Sequence, residues 1–242
     1  MQRYFSEKKI DNKFILSDND YYHITCVMRM KNDDNIEVVY NNEVYKCKLE
    51  FFNDNINIYE IDKLNSITDK LDITLFVPLV KEQKMDLILQ KATELGVSNI
   101  IPIITSRSVV KIDNTKENKK IERWQKICKE ASEQSKRVDI PNVSSIINIK
   151  DIKTLDGVNI VCSTTEKDNN IKLFLQKHKT CDKINVVIGP EGGLSSDEEN
   201  LLVEKGFIKV SLGSRIMRVE TVPIFILSII NYEYMNNANN NS

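Results

Sequence analysis

The sequence predicts an α/β protein in two parts: a small β-barrel over residues 1–70, then an α/β domain with a mainly parallel sheet over residues 71–242. Three features predict it. Before residue 70, short apolar runs alternate with turn formers and a single helical stretch intervenes. Beyond Asp69 the rhythm becomes strand, helix, strand. Five of the seven glycines (Gly189, Gly192, Gly193, Gly206, Gly213) then fall within 25 residues of one another.

In the first part, Arg3-Tyr4-Phe5, Lys13 to Leu16, Ile36 to Tyr40, Val44 to Phe52 and Ile56 to Ile61 read as strands, separated by turns such as Asn41-Asn42 and Asn53-Asp54-Asn55. One helix is expected after Ser17-Asp18 as N-cap, with Tyr22, Cys26, Val27 and Met30 at helical spacing. His23 has no catalytic partner close in sequence and reads as a barrel or interface residue.

In the second part, Ile73 to Val80 is an apolar strand containing a proline, and Glu82 to Leu95 a helix stopped by Gly96. Val97 to Ile104 is the next strand and Asn118 to Arg137 a highly charged helix. Asn159 to Ser163, Lys183 to Ile188 and Phe207 to Ser211 read as strands, with a helix over Ile171 to Lys179. Ser195 and Glu198 form an S-x-x-E capping box for a helix through Val203. Thr221 reads as the N-cap of a final apolar helix with Pro223 in its first turn. The polar tail Asn236 to Ser242 is expected to be disordered.

Bulk properties exclude several classes. With 41% apolar and 29% charged residues the composition is that of a folded globular chain. The opening Met1 to Lys9 carries no apolar core behind a basic start, so no secretory signal and a cytoplasmic location are expected. The longest apolar run, Val222 to Ile230, is too short to cross a bilayer, so no membrane association is expected. Five cysteines without a close pair suit reduced thiols, and two histidines make a metal site improbable. A net charge of -1 gives no general attraction to nucleic acid, so any RNA footprint has to be local.

The glycine cluster is where chemistry is expected. Both glycine-bearing loops follow strands, and ligands of open α/β sheets bind beyond the carboxyl ends of strands. Glycine admits close backbone approach, so such loops can wrap a ligand, although for an isolated glycine a role in turns alone is the favoured reading. A helix N-terminus beside glycines also suits phosphate, which keeps a nucleotide hydrolase in view. There is no Gly-Lys-Ser/Thr, however, and Glu191 sets a negative charge inside the loop. A ligand with a positive centre and sugar hydroxyls fits better. Arg215, Arg218 and Glu220 surround the second loop, either as ion-pair partners or as substrate contacts. Glu133, Gln134 and Arg137 share one helical turn, and the lysines at 116, 119, 120, 126 and 129 with Arg123 form a local basic stretch. A non-enzymatic RNA-binding module is the other reading still open.

The run Ile188-Gly189-Pro190-Glu191-Gly192-Gly193, followed by Leu212-Gly213-Ser214-Arg215-Ile216-Met217-Arg218-Val219-Glu220-Thr221, resembles the ribosomal RNA small subunit methyltransferase E family of the SPOUT superfamily. The likeness also takes in Arg3-Tyr4-Phe5, His23 to Arg29, Lys91 to Val97, Arg107-Ser108 and Glu133-Gln134-Ser135. The family usually has Gly at Lys136, Ala at Val222, Leu at Met217, and Gly-Asp where Asp33-Asp34 stands.

The resemblance implies an N-terminal barrel similar to PUA domains and a SPOUT α/β domain with a deep trefoil knot. It implies a homodimer that methylates N3 of a uridine in 16S ribosomal RNA, within the small ribosomal subunit, from S-adenosylmethionine and without a metal. Cofactor contacts are then expected from Ile188, Gly189, Pro190, Glu191, Gly192, Gly193, Leu212, Gly213, Ile216, Met217, Arg218 and Thr221. Arg218 and Glu220 are the expected catalytic pair. Arg3, Arg29, Arg107, Glu133, Gln134 and Arg137 are the expected RNA contacts.

Overall fold

The structure is a computed structural model and describes residues 1–53, 55–65, 71–110 and 114–234. The expected disordered tail, 236–242, lies outside them. Two compact units emerge: Met1–Thr68 together with Lys129–Ile140, and Asp69–Cys128 together with Pro141–Ser242. The 129–140 segment therefore packs with the N-terminal strands rather than with the rest of its own helix.

The first unit contains β1 (Arg3–Phe5), β2 (Lys8–Ile10), β3 (Lys13–Ile15), β4 (Asn35–Tyr40), β5 (Glu43–Phe52) and β6 (Asn55–Leu64). They pair in the order β1-β4-β5-β6-β3-β2, an open path of six strands whose end strands are not paired with each other. The sheet is antiparallel except for β1 beside β4. Alternation along β4 and β5 turns Ile36, Val38, Cys47 and Leu49 inward onto Tyr4, Phe14 and Ile58. Each such fully buried aliphatic side chain contributes about 1.5–3 kcal/mol relative to exposure.

Helix α1 (Asp18–Tyr22) begins as expected, with Ser17 as N-cap and a capping box closed by Asp20. The helical face differs from expectation. The chain continues as a π-helical turn, His23–Val27, whose wider pitch shifts the phase. Ile24 is buried, whereas Tyr22, Cys26 and Val27 face solvent. His23 is structural: its Nδ1 lies 2.9 Å from the Tyr4 hydroxyl. Asp33 and Lys136 both take left-handed backbone angles, φ 71° and φ 62°, which accounts for a glycine preference at those two positions.

The second unit is a seven-stranded parallel sheet formed by β7 (Asp72–Pro78), β8 (Asn99–Ile104), β9 (Asn142–Val143), β10 (Ile147–Asn148), β11 (Val158–Cys162), β12 (Lys183–Val187) and β13 (Ile208–Val210). The order is β10-β8-β7-β12-β11-β13, with β9 also on β8. Its helices are α2 (Glu82–Glu94), α3 (Asn114–Gln134), α4 (Ile171–Lys177), α5 (Ser196–Glu204) and α6 (Thr221–Tyr234). β7, β11 and β12 are buried on both faces, as their unbroken apolar runs require. Phe76, Val161, Val187, Leu202 and Phe207 meet in one core cluster. This packing fixes the carboxyl ends of β12 and β13, from which the two glycine loops emerge.

Candidate functional site

The loop after β12 turns back sharply on itself. A side chain at Gly189 would put Cβ 3.0 Å from the Leu194 amide nitrogen and 3.2 Å from the Gly193 carbonyl carbon, closer than side chains normally sit, so the loop would have to give way to take one. Ser195 then caps α5, and the Glu198 side chain closes the capping box. Glu198 also accepts from the Ser106 amide at 2.6 Å and from its hydroxyl at 3.1 Å, which ties the segment after β8 to the loop. Burial pushes the Glu198 carboxyl up, but donors from Ser195 and Ser106 outweigh it and hold the group below the usual carboxylate range.

The second loop leaves β13 through Ser211 and Leu212. Gly213 has φ 113°, which a side chain would strain, and its bare backbone faces open space. The chain then runs through Val219 into α6, whose first helical residue is Thr221 with Pro223 in the first turn. The Arg218 carbonyl accepts from the Thr221 and Val222 amides and closes that entry.

Between the loops lies a pocket. Gly189, Pro190, Glu191 and Gly193 line it on one side, and Leu212, Gly213, Ile216 and Met217 on the other. These eight are sequence-predicted cofactor residues. The remaining four sit around it: Ile188 is fully buried behind it, Thr221 starts α6, and Arg218 is exposed beside the lining residues Met217 and Val219. Gly192 faces Arg107, whose guanidinium donates to the carbonyls of Gly192 at 2.7 Å and Leu194 at 3.3 Å. Arg107 thus clamps the glycine loop.

Sequence reasoning missed part of the wall. Cys162 ends β11, Ser163 and Thr164 follow it, and all three line the pocket, as do Glu199 and Val222. The position at the carboxyl end of a central parallel strand could have singled out the first three. Burial pushes the Cys162 thiol up to about 12, so it stays protonated at neutral pH. Glu199 is buried, lies 3.1 Å from Lys209 Nζ and accepts from the Thr165 hydroxyl at 3.3 Å.

Acidic groups mark the site. Glu191 lies 2.7 Å from Lys84 Nζ, whose hydrogen bond holds the carboxyl below its ordinary value. Glu220 does not line the pocket; its Oε2 is buried, has no hydrogen-bond partner among the described residues and sits 3.5 Å from the same ammonium. Arg215 lines the pocket and Arg218 stands beside it; neither forms an ion pair with a described residue.

Of the expected RNA contacts, three are engaged by neighbours within the first unit. Arg3 pairs with Glu37 at 2.9 Å and donates to the carbonyls of Lys136 and Arg137. Glu133 pairs with Lys129 at 2.7 Å, and Arg137 with Asp139 at 2.7 Å. These three hold the first unit together, whereas Arg29 and Gln134 are exposed. A further cavity within the first unit, lined by Phe5, Lys8, Asp20, Asn41 and Lys129 among others, contains none of the glycine-loop residues. Among the described residues no group of three or more His, Cys, Asp or Glu could hold a metal, and no helix is long and apolar enough to cross a membrane.

A parallel sheet whose strand ends carry two tight loops around a pocket with carboxylates and bare backbone defines an α/β domain built for a small cofactor. Comparisons with known proteins make the class specific. The RNA methyltransferase domain model matches residues 68–231, and the RNA methyltransferase PUA domain model matches residues 16–55. Ribosomal RNA small subunit methyltransferase E of Bacillus subtilis is 34% identical over 96% of this chain and 97% of the relative. The protein of that name from Aquifex aeolicus is 32% identical over 95% and 99%. A crystal structure of ribosomal RNA small subunit methyltransferase E from Neisseria gonorrhoeae, bound to S-adenosyl methionine, superposes with a TM-score of 0.86 at 28% identity, covering 97% of this chain and 98% of that one. The chain belongs to the ribosomal RNA small subunit methyltransferase E family.

Proposed function

We propose that this protein transfers the methyl group of S-adenosylmethionine to N3 of a uridine in 16S ribosomal RNA of the small ribosomal subunit. The observation that carries the reading is the meeting of the Gly189–Gly193 and Leu212–Met217 segments around one pocket, in a chain related over its full length to enzymes of that name. The residues present fit the cofactor. The glycine backbones leave room for close approach, Glu191 and Glu199 suit a cationic sulfonium and sugar hydroxyls, and Arg215 suits a carboxylate.

The bound cofactor supplies an electrophilic methyl carbon, and the protein's part is alignment and proton management. Arg218 has no ion-pair partner among the described residues and stands beside the pocket, so it orients the RNA or stabilises the developing uridine anion. Glu220, with an unused carboxylate oxygen, is the candidate acceptor for the N3 proton. Arg29 and Gln134 are exposed and available as RNA contacts; Arg107 is exposed too, but its guanidinium is engaged by the carbonyls of Gly192 and Leu194. The first unit, an open six-stranded sheet, serves as the PUA-like domain for RNA, and the second carries the trefoil knot that the family resemblance implies. A homodimer covers the exposed Phe225 and Tyr232 of α6. The enzyme works in the cytoplasm.

Two measurements test this. Titration with S-adenosylmethionine should saturate; a chain without affinity for it or for its demethylated product is not this enzyme. Mass spectrometry of 16S ribosomal RNA from cells with and without the protein should show loss of one methylated uridine, and an unchanged pattern overturns the substrate assignment.

A further inference from the structure

We propose that Lys84 is a positioning residue for the cofactor: one ammonium that fastens together the two loops forming the pocket. The proposal rests on the reading of that pocket as the S-adenosylmethionine site. Lys84 lies in the first turn of α2, where its amide donates to the Lys81 carbonyl at 2.9 Å and fixes its backbone. Its Nζ reaches Glu191 Oε1 at 2.7 Å and Glu220 Oε2 at 3.5 Å. Glu191 belongs to the loop after β12, and Glu220 ends the loop after β13, directly beyond the pocket-lining Val219. A single side chain from a third element therefore joins the two walls.

The contacts are unequal. Glu191 takes a full hydrogen bond, whereas Glu220 Oε2 is buried with no hydrogen-bond partner among the described residues and faces the Lys84 charge alone. Lys84 is the cation set beside that oxygen, so removing it would drive the second loop to shift until the carboxylate, whose side chain is already 16% exposed, reaches solvent. Lys84 itself is not part of the pocket wall and acts through the two glutamates. Its side chain is 31% exposed and that of Glu191 42% exposed, so the pair contributes little to overall stability. Its effect should fall on loop placement, where a shift of about 1 Å is enough to weaken binding and alignment.

The test uses the full chain with Lys84→Met, Lys84→Arg, Glu191→Gln and the Lys84→Met/Glu191→Gln double variant. Calorimetry reads the dissociation constant for S-adenosylmethionine, steady-state assays separate KM from kcat, and melting reads the fold. Lys84→Met should raise both the dissociation constant and the cofactor KM about tenfold. At saturating cofactor kcat should fall less than KM rises, with the melting midpoint nearly unchanged. Lys84→Arg should restore most of the affinity, and the double variant should bind about as weakly as Lys84→Met alone. Wild-type affinity and KM in Lys84→Met, or additive losses in the double variant, overturn the tether while leaving the cofactor site standing. Should Lys84→Met fail to fold, Glu191→Gln with wild-type cofactor affinity overturns it equally. A wild-type chain that does not bind S-adenosylmethionine overturns the pocket reading itself, and the tether with it.

Discussion

The glycine-loop residues of the second unit and the charged residues of the first were both expected to touch ligands, and the structure uses them in opposite ways. Eight loop residues converge on one pocket, three of them glycines whose missing side chains let the loops turn tightly. Arg3, Glu133 and Arg137 are instead consumed by neighbours: Glu37 and two carbonyls, Lys129, and Asp139. Arg218, like Arg215, forms no ion pair with a described residue and stands beside the pocket.

That contrast predicts different failures. Arg218→Ala should lower kcat/KM for methylation by at least about a hundredfold while cofactor binding stays measurable by calorimetry. Retained turnover would remove Arg218 from the mechanism and erase the difference between the regions. Arg3→Ala should do the reverse. It leaves the largely buried Glu37 short of its main partner, so the unfolding free energy should drop by about 2–3 kcal/mol, read from denaturant melts. RNA affinity at a temperature where the variant is still folded should change little; a selective loss of RNA binding would return Arg3 to the interface.

Two smaller effects sharpen the comparison. Gly189→Ala forces a Cβ against the Leu194 backbone and should weaken S-adenosylmethionine binding about tenfold, since the clash costs on the order of 1–2 kcal/mol. Unaltered affinity would mean that the loop yields and that its glycine serves the turn only. In the first unit the effect is on pH. Burial pushes the Glu37 carboxyl up, but hydrogen bonding and charge from Arg3, with Lys136, outweigh it and hold the group below 4.5. Stability from this group is present above pH 4.5 and lost as pH falls through the lowered value. Glu37→Gln should flatten that acid limb, and an unchanged acid melt would show that the pair carries no linkage.

Much of this was legible in the sequence, for physical reasons. Period and punctuation located β7, α2, β12 and α5 to within about two residues, and both Ser17 and Ser195 cap the helices assigned to them. The glycine loops were legible because backbone strain restricts residue type. The phase of the helix after Ser17 was not, since the π-helical turn breaks the 3.6-residue period from which the buried face was read. Nor was the packing of 129–140 with the N-terminal strands, which depends on contacts more than 100 positions apart, such as Lys129 with Asp20. Lys84 left no trace either: a lysine in a helix's first turn looks like surface until Glu191 and Glu220 are brought to it.

The smallest predicted effect concerns the departures from the family pattern. Lys136 holds φ 62°, a conformation in which a side chain costs about 1 kcal/mol relative to glycine. Its ammonium partly offsets that cost, lying 3.3 Å from Glu37 Oε2 and donating to the Met1 carbonyl, but the lysine side chain is 43% exposed and such pairs contribute less than about 1 kcal/mol. Lys136→Gly should therefore raise the unfolding free energy by about 0.5 kcal/mol and leave methylation untouched. A clear loss of stability would mean that the ties to Glu37 and the N-terminus outweigh the backbone strain. The chain would then have exchanged a glycine for a cross-link within its first unit, where side-chain pairs do the holding that bare backbone does in the second.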